Sequence, residues 1–157
     1  MGALMFARCG CPLRGILVAC ALGGMAFTPA GKAADESVWL AHLKNLTQAE
    51  GRTLLRLARD LFPHAELESS HYTRCIDPFD EAASDLQSRE TALESLNLIN
   101  GAIRRMGYTT YADISDEEER LRLAKMLAEN RWIKRFSTGV GQCLYGQLDV
   151  KLLLKLK

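Results

Sequence analysis

The chain has 157 residues, 48% of them hydrophobic and 25% charged, with a formal net charge of +1. That balance suits one globular domain and excludes a disordered polymer or a polybasic arm, so no nucleic-acid partner is expected. With no internal repeat, low-complexity tract or linker, the expected fold is all-α, a single bundle of four to six helices behind an N-terminal signal peptide.

Arg8 and Arg14 form a positive n-region, Gly15 to Phe27 is an uncharged run, and Gly31 and Ala33 suit the small-residue positions of a cleavage site. Residues 1–34 therefore read as a secretory signal and 35–157 as the mature domain, periplasmic or otherwise exported. The run is shorter than the roughly 20 residues of a membrane span. Leu17-Val18-Ala19-Cys20 also matches a lipoprotein box, which leaves lipidation at Cys20 as an alternative. Cys9, Cys11 and Cys20 leave with the signal, and Cys75 and Cys143 remain in a disulfide-permissive compartment. They form either one bridge closing a long loop, with a stabilisation of about 4 kcal/mol, or two buried thiols that never meet.

Asp35 to Leu46 is amphipathic through Val38, Trp39, Leu40, Leu43 and Leu46, a first helix or a folded arm. The next helix is bounded at both ends. Thr47 and Glu50 have capping-box spacing, and Pro63 stops the helix near Leu61 or Phe62. Leu54, Leu55, Ala58, Leu61 and Phe62 make one stripe, with Arg52, Arg56, Arg59 and Asp60 largely on the other side. From about Ser70 to Ala83, Tyr72, Cys75, Ile76 and Phe79 form a further apolar face. Pro78 either kinks this helix or opens a new one capped by Asp77.

Ser88 opens a long helix stepping through Leu93, Leu96, Ile99, Ile103 and Met106, with Gly107 as its left-handed terminator. Gly107 to Ile114 reads as a loop with two aromatic plugs, Tyr108 and Tyr111. Ser115 to Glu118 is a second capping box, followed by a stripe of Leu121, Ala124, Leu127 and Ala128. Arg131 to about Gly146 is the last long helix, with Trp132, Ile133, Phe136, Val140, Cys143 and Leu144 inward. Gly139, Gly141 and Gly146 each weaken it by about 1 kcal/mol relative to Ala. The apolar tail Val150 to Lys157 could dock on a partner, lie on a membrane or extend the last helix into the core.

Chemistry is sparse. His42, His64 and His71 form no recognised ligand spacing, and His64, Glu66, Glu68 and His71, though close, read as a solvated loop rather than a metal site. Gly139-Val140-Gly141 is too little for a nucleotide, and Arg104, Arg105, Arg131, Lys134 and Arg135 read as a solvated basic face. No nucleophile or general base stands out, so an independent enzyme is not expected.

The run Leu54 to His64 (LLRLARDLFPH), followed by Leu67 and Tyr72, resembles the gluconate 2-dehydrogenase subunit 3 family. These are small exported helical proteins, some of them accessory subunits of flavin-dependent membrane dehydrogenases of sugars and sugar acids. Phe136, Leu144-Tyr145-Gly146 and Val150 are similar to that family's C-terminal region, and the likeness covers about Leu46 to Val150. Two features depart from the family: Arg8 and Arg14 are not adjacent as in a twin-arginine signal, and an aromatic-rich Gly-Tyr-Gly-like tail is not seen before Lys157. The resemblance implies a non-catalytic role with no cofactor of its own. A large flavin-containing dehydrogenase subunit would hold FAD and oxidise substrate, a cytochrome subunit would carry electrons away, and this chain would reach the membrane through its partner. His64, Tyr72, Tyr108, Tyr111 and Tyr145 are the candidate partner-facing residues.

Overall fold

The structure, a computed structural model, describes residues 30–156. All regular structure among them is helical: α1 (Ala30–His42), α2 (Gln48–Leu61), α3 (Ser69–Ala82), α4 (Leu86–Arg105), a 3-10 turn (Tyr111–Asp113), α5 (Glu117–Leu127), α6 (Arg131–Gly146) and α7 (Leu148–Leu153). The count exceeds four to six because the Asp35 segment is a helix and the tail forms one of its own. The signal segment, with the Cys20 alternative, lies outside the described residues except for 30–34, whose backbone opens α1.

The central element is α2, which touches α1, α3, α5, α6 and the 3-10 turn. Its capping box forms as the spacing predicts: Glu50 N–H donates to Thr47 Oγ1 at 3.3 Å and Thr47 N–H to Glu50 Oε2 at 2.7 Å. Phe62 is its C-cap. Because α2 has neighbours on several sides, its buried arc is wider than one stripe. Leu57 is buried with Leu54, Leu55 and Ala58, while Leu61 and Phe62 are only half-buried.

Asp60 corrects the sequence reading more sharply. Its side chain is 7% exposed rather than facing water, and it accepts from Arg120 Nε at 2.8 Å. The Tyr111 hydroxyl donates to the same carboxylate at 2.8 Å, and Arg120 Nη1 donates to the Ile114 carbonyl at 3.1 Å. One buried cluster thus joins α2, the 3-10 turn and α5.

A second carboxylate organises the other side. α3 runs continuously through Pro78, and Asp77 accepts from Trp39 Nε1 at 2.8 Å instead of capping a new helix. Asp80 turns back to the α1–α2 connection, where the amides of Lys44, Asn45 and Leu46 donate to it at 2.9, 2.9 and 2.8 Å. Asn45 Nδ2 meanwhile donates to the Asp80 carbonyl at 2.8 Å, satisfying one acceptor that the end of α3 leaves open.

The remaining boundaries shift by a residue or two. Asp85 rather than Ser88 caps α4, accepting from Ser88 N–H at 2.9 Å. Asp116 rather than Ser115 caps α5, accepting from Glu119 N–H at 3.1 Å. Gly107, at φ +89°, closes α4 in the left-handed conformation that the sequence predicts. Asn130 caps α6, whose Ile133, Phe136, Val140 and Leu144 are fully buried. Cys75 on α3 and Cys143 on α6 form a disulfide, with Cα atoms 5.5 Å apart and a sequence separation of 68. Constraining a loop of that length in the unfolded chain is worth about 4 kcal/mol.

Two outcomes follow. Burial pushes the Asp80 carboxyl up, but the amides of Lys44, Leu46 and Asn45 outweigh it and hold the group below its ordinary value of 3.8. Its contribution is full above that value and is lost as pH falls through the lower folded value. Urea midpoints of the parent should therefore drop more steeply below about pH 4 than those of Asp80→Asn, which starts about 2 kcal/mol less stable. Arg120→Ala leaves the Asp60 charge with only the Tyr111 hydroxyl at 2.8 Å and Arg56 at 3.9 Å and should cost about 3 kcal/mol, whereas Arg122→Ala on the exposed face should stay within about 0.5 kcal/mol.

Candidate functional site

Pro63 ends α2 and turns the chain, which leaves Phe62 and His64 at one corner of the bundle beside the last turn of α6. There the edge of Tyr145 meets Phe62, ring centroids 5.9 Å apart at 79°. His64 Nε2 lies 2.9 Å from the Tyr145 hydroxyl, 81 residues away in sequence. Phe62 is held from behind, since the buried Tyr72 hydroxyl donates to its carbonyl at 2.6 Å. Burial pushes the Tyr72 hydroxyl up, so it stays a donor.

A cleft of about 570 Å³ opens at this corner, lined by His64, Glu66, Tyr145 and Leu153 to Leu156. Its far wall is the end of α7 and the turn after it, and α7 is pinned from below. Val150 is fully buried, Asp149 Oδ2 lies 3.2 Å from Arg74 Nη1 and 3.5 Å from His71 Nε2, and Gln147 Nε2 donates to the His71 carbonyl at 3.0 Å. α7 ends in a Schellman arrangement, with Leu156 N–H donating to the Lys151 carbonyl at 2.9 Å and Lys155 in the left-handed conformation at φ 53°. Glycine would adopt that conformation at a cost lower by about 1 kcal/mol.

A second groove, of about 620 Å³, lies along α6 facing α3 and α4. Its floor is the Trp132 ring stacked on Phe136 at 5.5 Å, with Phe79 5.0 Å from Phe136, and Arg135 stands on its rim.

The five candidate partner-facing residues separate. His64 and Tyr145 reach the cleft, with Tyr145 36% exposed. Tyr72 and Tyr111 do not face a partner: they are 2% and 0% exposed, because each hydroxyl finds an internal acceptor, Phe62 O and Asp60 respectively. Tyr108 is half-buried and donates to Glu119 Oε2 at 3.1 Å, bracing the first turn of α5. His71 is 8% exposed rather than part of a solvated loop, its Nδ1 accepting the Glu68 amide at 3.2 Å. Among the described residues no group of three or more His, Cys, Asp and Glu could hold a metal ion, and no helix is long and apolar enough to cross a membrane.

Chemically, the corner offers one imidazole, one phenol, one carboxylate and a leucine wall. These groups suit recognition of a surface with mixed apolar and polar character. Residues that sequence reasoning missed are Gln147, the N-cap of α7, and Asp149 in its first turn; their only local signal is position just past the predicted end of α6. Neither the family models, nor the curated proteins, nor the solved structures contain a match to this chain.

Tyr145→Phe should cost under about 1 kcal/mol, since it removes only a hydrogen bond at an exposed site. Tyr145→Ala, which also loses the Phe62 edge contact, should cost about 1–2 kcal/mol more; urea unfolding of both variants separates the two contributions.

Proposed function

We propose that this chain is an exported, non-catalytic subunit that stabilises or escorts a larger flavin-dependent dehydrogenase of sugars or sugar acids. The observation that carries this reading is the meeting of Phe62 and His64 with Tyr145 at one solvent-facing corner. Those residues belong to the two segments on which the family resemblance rests, Leu54 to His64 and Leu144 to Gly146. Their convergence on an open cleft supports a shared use as a docking surface. An aromatic edge and a half-exposed imidazole are the kind of anchors that carry binding energy at protein interfaces.

A second reading, a free-standing exported binding protein, is favoured by the groove floored by Trp132 and Phe136. In that case the chain elutes alone and carries a small-molecule adduct in native mass spectrometry.

The test is purification of the full chain from a membrane extract of its own cells. A larger subunit with flavin absorbance should co-elute in fixed ratio, and His64→Asp should lower the co-eluting flavin about tenfold while helical circular dichroism is retained. A chain that emerges alone, or one that turns over substrate or holds flavin by itself, overturns the proposal.

A further inference from the structure

The outer face of α7 and the turn after it are the most apolar exposed part of the described surface. Leu148 is 73% exposed, Leu152 72%, Leu153 48% and Leu156 46%. On the opposite side of the same short helix, Val150 is fully buried and Leu154 packs against the core. An element apolar on both faces is one whose outer face is also covered.

The charges around it indicate what covers it. From Val150 to Lys157 the sequence holds three lysines and no acid, although the whole chain carries a net charge of only +1. Lys151 and Lys155 are exposed among the leucines. The one acid within α7, Asp149, is engaged by Arg74 at 3.2 Å, so it does not neutralise them. Lys155 also holds a left-handed backbone where glycine is the usual residue.

Leucines that project outward and lysines that flank them, on a helix lying flat on a domain, match a bilayer interface: apolar side chains enter the acyl boundary and ammonium groups meet anionic headgroups. We infer that the outer face of α7, Leu148, Leu152, Leu153 and Leu156 with Lys151 and Lys155, is a membrane-surface site selective for anionic lipid. The site stands on α7 alone and does not depend on the dehydrogenase reading.

Hydrogen exchange read by mass spectrometry tests it on the full chain, because the amides of 148–156 are followed separately from those of the apolar N-terminus. With vesicles of phosphatidylglycerol and phosphatidylethanolamine, exchange across 148–156 should slow, and with pure phosphatidylcholine it should not. Leu152→Asp should weaken the response about tenfold, as burying one leucine fewer requires. Lys151→Glu with Lys155→Glu should abolish the preference for anionic vesicles. Exchange that ignores vesicles, or slows equally on both kinds, overturns the inference. So does slowing without lipid, as protein concentration rises or when a co-purified subunit is retained, which assigns the face to a protein contact.

Discussion

The Asp60 carboxylate is the constraint on which the arrangement of the bundle depends. It sits in the last turn of α2, where burial and the negative end of the helix dipole both disfavour a charge. Arg120 answers both, and the Tyr111 hydroxyl fills another of the lone pairs. Burial and the Asp60 charge push the Tyr111 hydroxyl far up, so it stays a protonated donor. A buried pair of this kind gives little net stability compared with apolar side chains of the same volume. What it fixes is geometry: Arg120 ties α5 to Asp60 of α2, and its Nη1 donates to the Ile114 carbonyl of the preceding loop.

The Asp80 contact works by the same logic at the other end of the molecule. Three consecutive amides converge on one carboxylate, so the α1–α2 connection is held in a single conformation by α3. Both carboxylates were illegible in the sequence for one physical reason. Local pattern assigns a charged residue to water by default, and what overrides the default is a partner far along the chain, at separation 60 for Asp60 with Arg120 and 34 to 36 for Asp80 with the amides. By contrast, the capping box at Thr47, the stop at Pro63, the left-handed Gly107 and the limits of α6 were readable because their causes lie within a turn of the residue concerned. The same distinction explains the tyrosines. The family resemblance nominates Tyr72 and Tyr111 as partner-facing, but both are buried in the fold, where each hydroxyl meets an internal acceptor, the Phe62 carbonyl and Asp60 respectively.

Half of the candidate corner was legible in this sense. Leu-Phe-Pro-His announces a helix end with a projecting imidazole, yet nothing near it in sequence points to Tyr145. The disulfide was open as one of two alternatives, since spacing carries no Cα distance. Once formed, it does more than close a loop: Gln147 Nε2 lies 3.1 Å from Cys75 Sγ and donates to the His71 carbonyl, so the turn leading into α7 is tied to the bridge.

The glycines of α6 complete this account. Read alone, Gly139 and Gly141 only weaken a helix, and the cost is real. In the fold they face two different rings. A Cβ at Gly139 would lie 3.0 Å from Phe79 Cζ, and one at Gly141 would lie 3.1 Å from Phe62 Cζ. α6 therefore passes between an aromatic ring of α3 and the C-cap ring of α2, close enough that neither position has room for a methyl group without movement. With Cys143 bonded to α3 one turn further on, the helix has little freedom to rotate or slide. Tyr145 follows within two residues, so its ring is held where Phe62 and His64 meet it. If the corner docks a partner as proposed, a surface ordered in this way loses less conformational freedom on binding, and the helix propensity given up at two glycines is converted into preorganisation of the corner.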